Sequence, residues 1–292
     1  MWAFEHRSDN NTCLQTLQIC ITDKKINIKM KIRINRIFLN KAMMASLFIA
    51  GIEAANAQAK HEDTEFYTPV PKTVVAGKTT ADAPSDAIVL FDGKNLDNWV
   101  KTDDRTTAAG WIVNKGVLTV DKKQGNIETK QAFGNYQLHL EWQVPKNISG
   151  EGQLRGNSGL FLAAIGKGDV GYELQILDSY ENKTYTNGMA GSIYKQTTPL
   201  VNPSKKPGEW QTYDVIWTAP TFKADSTVNT PAKVTVLYNG VLVQNNFELR
   251  GPTQYVGAPS YSKAHGKSPI KLQAHGDKSE AVSFRNIWIR EL

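Results

Sequence analysis

The chain of 292 residues has two cysteines, Cys13 and Cys20, and both fall within its first twenty positions. Beyond them there is no thiol to form a disulfide or ligate a metal. No hydrophobic run is long enough to cross a bilayer. The longest, from Ala42 to Ile52, is broken by Ser46 and Gly51, whereas a spanning helix needs about 20 apolar residues. A polytopic membrane protein is excluded. Five histidines, His6, His61, His139, His265 and His275, are too few and too scattered for a His-rich metal centre. There is no His-Glu-x-x-His, no Gly-x-Ser-x-Gly and no glycine-rich phosphate loop ahead of a helix, which removes three large classes of enzyme. Only a carboxylate-rich site for a hard divalent cation is left open, and no other cofactor is expected.

The formal charge of +6 looks like an invitation to nucleic acid until it is divided by region. Residues 1–59 carry eight Lys or Arg against four Asp or Glu, hence four of those six net charges, and no basic run occurs elsewhere. A nucleic-acid partner therefore has no electrostatic footing. From Met30 the sequence has a basic head (Lys31, Arg33, Arg36, Lys41), a short apolar stretch and then Ala55-Asn56-Ala57 or Ala57-Gln58-Ala59. That order is the pattern of a secretory signal peptide. The expectation is a start at Met30, with residues 1–29 an upstream extension, and a mature protein that is periplasmic or secreted. Ile19 is not small and no apolar stretch precedes Cys20, so lipid attachment there is not expected.

Residues 60–85 are polar, with Pro69, Pro71 and Pro84, and read as a flexible linker. From residue 86 to 292 the pattern is one of short alternating runs between turn residues, with little sign of a 3.6-residue period. Tyr136, Leu138, Leu140, Trp142 and Val144 alternate with Gln137, His139, Glu141 and Gln143, the period of two of a half-buried strand. Tyr172, Leu174 and Ile176 repeat the device, as do Tyr213, Val215 and Trp217, and Ile270, Leu272 and Ala274. Asn239-Gly240 between two apolar runs marks a hairpin with a two-residue turn, since both turn positions require positive φ. Phe284 to Ile289 is a closing strand. Many strands with frequent turn signals predict one all-β domain, an antiparallel β-sandwich of jelly-roll size.

In such a fold, function is sought among polar residues on strand faces. Gln137, His139, Glu141 and Gln143 share one face of their strand, Glu173 and Gln175 one face of theirs, and Lys271, Gln273 and His275 a third. Carboxylates, amides and imidazoles in these rows suit sugar hydroxyls. Arg155, Asn157 and two glycines in Arg155-Gly-Asn-Ser-Gly159 add donors and close backbone approach. Each has a plainer role: Glu141 and His139 as solvent-facing strand residues, Asp178 as the cap of the turn to Asn182, His275 as a strand-end surface residue. Trp99, Trp111, Trp142, Trp210, Trp217 and Trp288 read as core, with any exposed one a stacking platform.

The motifs also match a known family in order. Phe91-Asp-Gly-Lys-Asn-Leu-Asp-Asn-Trp99, Tyr136-Gln-Leu-His-Leu-Glu-Trp142, Gly156-Asn-Ser-Gly-Leu-Phe161, Gly171-Tyr-Glu-Leu-Gln-Ile-Leu-Asp178, Gly191-Ser-Ile-Tyr194, Lys206-Pro-Gly-Glu-Trp-Gln-Thr-Tyr-Asp214, Tyr238-Asn-Gly240, Leu272-Gln-Ala-His-Gly276 and Phe284-Arg-Asn-Ile287 resemble the 3-keto-disaccharide hydrolase, or 3-keto-glucoside lyase/hydratase, family. The resemblance covers about residues 88–292. It implies a concanavalin A-like jelly roll acting on a glycoside or oligosaccharide already oxidised at C3. Gln143 and Ala163-Ala164 stand where the family often has Arg, so the substrate contacts of those arginines are not carried over.

A C3 ketone acidifies the C2 proton, and its removal expels the oxygen at C1. On this scheme Glu173 or His275 handles the C2 proton, and Glu141 or Asp178 assists the leaving group or binds a divalent metal. Arg155, Asn157, Gln175, Tyr194 and Gln273 position the sugar. Two alternatives compete. A conventional retaining glycosidase needs two carboxyl groups about 5–5.5 Å apart, but Asp178 lies five residues beyond Glu173 and nominally on the other face. A non-catalytic carbohydrate-binding module would need only aromatic and amide contacts.

Overall fold

The computed structural model describes residues 59–292; Cys13, Cys20 and residues 30–58 of the expected leader lie outside them. The chain divides into two units, Met1–Pro71 and Lys72–Leu292. In the first, the described residues 59–71 are exposed and hold one 3-10 turn, His61–Thr64.

In the second unit the alternating runs become strands. The first seven are β1 Ile88–Phe91, β2 Trp99–Lys101, β3 Ile112–Asn114, β4 Val117–Thr119, β5 Ile127–Thr129, β6 Tyr136–Gln143 and β7 Ser158–Ala164. There follow β8 Gly171–Ile176, β9 Gln211–Thr218, β10 Thr221–Phe222, β11 Val228–Thr230, β12 Lys233–Tyr238, β13 Val241–Glu248, β14 Lys271–Leu272 and β15 Ser283–Glu291. One antiparallel sheet runs β13-β12-β9-β6-β15-β4-β3, with β1 also paired to β15. The other runs β2-β5-β14-β7-β8, and β10 and β11 form a small separate ribbon.

The two large sheets share one core. Tyr136, Leu138, Leu140 and Trp142 of β6, Tyr213, Val215 and Trp217 of β9, and Val234, Val236 and Tyr238 of β12 meet Leu160 and Leu162 of β7 and Tyr172, Leu174 and Ile176 of β8. Burying each large side chain stabilises the fold by roughly 1.5–3 kcal/mol. Tyrosines in the core reach across it for acceptors: Tyr136 donates to the Leu162 carbonyl at 2.6 Å and Tyr213 to the Gln175 carbonyl at 2.7 Å. The architecture is the β-sandwich jelly roll expected from the sequence. The Asn239-Gly240 hairpin forms, with φ of +51° and +77°.

Two elements differ from the sequence reading. The run from Ile270 is a strand only over Lys271–Leu272, so His275 lies past its end. The short strands β1 to β5 carry too few alternations to stand out in the sequence. What the pairing does to the polar rows matters most. Gln137, His139 and Glu141 face outward from the larger sheet. Glu173, Gln175 and Lys271 face outward from the smaller one, on the opposite side of the sandwich.

Candidate functional site

Two rows of the smaller sheet form the floor of the site. In one, Glu128, Lys271, Phe161 and Glu173 stand side by side across β5, β14, β7 and β8. In the next, Gly159 of β7 lies between Gln175 and the chain at Gln273, whose backbone N–H donates to the Gly159 carbonyl at 3.0 Å. Gly159 is there because no side chain fits. A Cβ at that position would stand 2.6 Å from Glu173 Oε1 and 3.2 Å from Gln273 Oε1, so both side chains converge over the glycine.

They converge on a cavity of about 160 Å³ lined by Asn157, Glu173, Gln175, Tyr194, Gln273 and His275, with Asp169, Thr253 and Tyr255. Burial, and secondarily the charge of Asp169, pushes the Glu173 carboxyl up from 4.5 to about 8. The Gln175 amide sits between two sets of partners. Turned one way, its Nε2 donates to Asn157 Oδ1 and Gln153 Oε1; turned the other, it reaches Glu173 Oε1 at 3.0 Å. Gln273 Oε1 is buried with no hydrogen-bond partner among the described residues, an acceptor free for a ligand hydroxyl.

His275 reaches the cavity from the segment after β14. Its Nδ1 lies 2.9 Å from Asp277 Oδ2. Burial would raise the Asp277 carboxyl, but Ser279, His275 and Lys122 together hold it below the usual range. Asp277 thus orients the imidazole as a carboxylate does in any acid–base dyad. Asn157 Nδ2, 3.5 Å from Asp277 Oδ2, ties the same group to the floor.

The walls are loops fastened to β8 and β14. The fully buried Lys271 donates from Nζ to the carbonyls of Gly166, Gly168 and Val170 at 2.9, 2.7 and 3.2 Å, fixing the β7–β8 loop that carries Asp169. Tyr194 N–H donates to the Glu173 carbonyl and Glu173 N–H to Thr253 Oγ1, both at 3.0 Å.

The structure brings together Glu173, His275, Asn157, Gln175, Tyr194 and Gln273. It does not bring three other expected site residues to the cavity. Glu141 faces outward from the larger sheet, where Arg285 Nε and Asn286 Nδ2 donate to it at 2.7 and 2.9 Å. Asp178 and Arg155 form a pair of their own, Nε to Oδ2 at 2.6 Å. Burial raises the Asp178 carboxyl despite that guanidinium, and neither residue lines the cavity. Among the described residues no group of three or more His, Cys, Asp or Glu converges as a cation site, so no divalent metal is assigned a role. The residues the sequence reading missed are Asp169, Thr253, Tyr255 and Asp277. They lie on loops, where no periodicity points to a face; the His-x-Asp spacing of His275 and Asp277 was the one available signal.

A second, larger hollow of about 940 Å³ lies on the opposite side, between residues 74–84 and the outward face of the larger sheet. Several of its polar groups pair with one another. His139 stacks on Trp288, with centroids 5.4 Å apart, and its Nδ1 is 2.7 Å from Asp214 Oδ1. Burial pulls the imidazole down, but Asp214 and Glu141 outweigh it and raise it to about 9. Asn286 Nδ2 and Trp288 Nε1 both donate to the Ala81 carbonyl at 2.9 Å, and Arg290 Nε donates to Asp86 Oδ2 at 2.8 Å. The arrangement holds residues 72–86 to the sheet. The smaller cavity is the one that gathers a carboxyl, an imidazole and three amides in one place.

Comparison with known proteins agrees with this fold. Residues 86–290 match the model of a family described as 3-keto-alpha-glucoside-1,2-lyase-like domain. A crystal structure of a candidate glycosyl hydrolase from Parabacteroides distasonis is 53% identical, with a TM-score of 0.74, over 81% of this chain and 98% of that one. A second candidate glycosyl hydrolase from the same organism shares the fold at 18% identity and a TM-score of 0.51, over 70% of this chain and 94% of its own. No curated protein matches the chain.

Proposed function

Because this chain belongs to the 3-keto-alpha-glucoside-1,2-lyase-like domain family, we propose that it is an exported enzyme that cleaves 3-keto-glycosides by β-elimination. The C3 ketone lets the electron pair of the C2–H bond delocalise onto oxygen once a base takes the proton. Glu173 is that base. A carboxyl raised to about 8 is a stronger base, when ionised, than a solvated one, and is matched to neutral or mildly alkaline pH. The pair then returns to form the C1–C2 double bond as the C1–O bond breaks. The departing oxygen takes a proton from the His275 side chain, held in line by Asp277. The amides of Asn157, Gln175 and Gln273 offer N–H donors for the C3 oxygen, where charge collects, and acceptors for the hydroxyls. Addition of water across the double bond would make the overall reaction a hydrolysis.

The observation that carries this reading is a buried carboxyl with no cationic partner among the described residues, in the same small cavity as an aspartate-held imidazole. The test is to incubate the enzyme with 3-keto-glucosides and with unoxidised disaccharides. Ultraviolet absorbance of the conjugated enone from the first alone is the expected result. Reducing ends released from unoxidised sugars would instead favour a conventional glycosidase, with Asp169 as the second carboxylate. Binding without turnover of either would make the domain a carbohydrate-binding module.

A further inference from the structure

At about 160 Å³ the cavity is well below the roughly 300 Å³ at which sites begin to enclose a whole drug-sized ligand. It has room for one sugar ring, and whatever is joined at C1 must lie outside, across the mouth. That mouth is aromatic. Tyr194 and Tyr255 line the cavity from two separate loops. Tyr185 continues their surface, its hydroxyl 2.6 Å from that of Tyr194 and the two rings 6.2 Å apart. Lys195 ties the three together. Its Nζ lies 4.0 Å from the Tyr255 ring centroid and 5.8 and 5.9 Å from those of Tyr194 and Tyr185. The same ammonium donates to the Tyr255 carbonyl at 2.7 Å.

These rings are not core. Tyr255 is 74% exposed and Tyr185 41%, and contiguous exposed apolar surface beside a polar cavity marks a binding surface. Lys195 itself sits in a turn, its φ +59° and its N–H donating to the Asn187 carbonyl at 2.8 Å.

We propose that Tyr185, Tyr194 and Tyr255, tied together by Lys195, form a leaving-group subsite for a ring-bearing aglycone, pyranose or aryl, lying flat on the tyrosine faces. The assignment rests on the reading that the cavity itself holds the oxidised sugar. A flat ring covers the electron-rich faces and removes them from water. A methyl aglycone is too small to reach across the rim and gains nothing from it.

The test compares the wild type with Tyr185→Ala, a change at an exposed ring that does not line the cavity and leaves the core untouched, on 3-keto forms of methyl glucoside, phenyl glucoside and a glucosyl disaccharide. The expected result is a loss of about tenfold in kcat/KM, carried by KM, on the two ring-bearing substrates, with less than a twofold change on the methyl substrate. The ratio of the phenyl to the disaccharide loss identifies which ring the subsite prefers. Equal loss on all three substrates, or none on any, overturns the proposal. Calorimetric binding of unoxidised phenyl and methyl glucosides separates this from the elimination reading. If the wild type turns over no 3-keto-glycoside, elimination fails. The subsite is then still supported by a tenfold weaker phenyl glucoside affinity in Tyr185→Ala with methyl glucoside unchanged. It is overturned by an unchanged phenyl affinity, or by a wild type that binds neither.

Discussion

The two outward faces of the sandwich each bury a glutamate, and the two carboxyls are pushed in opposite directions. Glu141, on the larger sheet, would be raised by its burial, but His139, Asn286 and Arg285 bring it down to about 2. Glu173, on the smaller sheet, has no cation against it among the described residues, and burial with the nearby Asp169 takes it up to about 8. Both are the polar member of an alternating strand. The partners supplied by neighbouring strands separate them: Arg285 stands opposite Glu141 on β15, whereas Phe161 stands opposite Glu173 on β7. A buried charge that is paired holds structure together. One left unpaired is costly to fold and is retained where it does chemistry.

The sharpest way to break this contrast is to make the same substitution on each face. Glu173→Gln removes the base and is expected to lower kcat on a 3-keto-glucoside by about 10²–10⁴-fold with the fold intact by circular dichroism. Glu141→Gln is expected to leave kcat within about twofold. Because it leaves Arg285 without its anion and removes one of the two carboxylates beside His139, it lowers stability in denaturant unfolding, by about 2 kcal/mol. Comparable loss of turnover in both variants would end the distinction.

The faces should also respond to pH in opposite senses. Glu173 is raised, so its contribution to stability is complete below 4.5 and is lost as the pH climbs through about 8. Glu141 is lowered, so its contribution is present above 4.5 and disappears only as the pH falls through about 2. The melting temperature of Glu173→Gln relative to the wild type is therefore expected to rise between pH 4.5 and 8 and then level off. The gap is on the order of a few kcal/mol at the upper end, and a scan of Tm against pH for both proteins reads it. A gap independent of pH would mean that Glu173 titrates as a solvated carboxyl.

Much of this contrast was hidden in the sequence, for a physical reason. Period-two alternation gives the strands β6, β8, β9 and β12 and says that Glu141 and Glu173 each point away from the core. It does not say which sheet a strand joins, because sheet membership depends on pairing partners far along the chain. Glu141 and Glu173 therefore looked like members of one site. Glu173, Gln175, Asn157, Gln273 and His275 could be gathered correctly because their strands, β7, β8 and β14, are neighbours in a single sheet. Asp277 and Asp169 were lost to loops, whose course is set by contacts such as those of Lys271. The aromatic surface was sought among tryptophans, yet Trp99, Trp142 and Trp217 are fully buried. Tyrosines take the cavity mouth instead, where a hydroxyl tolerates water.

The smallest effect tests how the outward face of the smaller sheet keeps its carboxyl raised. Lys271 is itself buried, and its three carbonyl contacts hold the loop that carries Asp169. Lys271→Met frees that loop while keeping the apolar stem. If Asp169 then drifts away, the kinetic pKa of Glu173 should fall, by less than about one unit for a single exposed charge. The sign is diagnostic, because loss of a nearby cation by itself would push a carboxyl up. Asp169→Asn should lower the same pKa by a similar amount, and the double variant should go no lower, since both changes remove one influence. The pH profile of kcat/KM measures all three. A drop in Tm without a shift in that profile would reduce Lys271 to a packing residue and leave burial alone to explain Glu173.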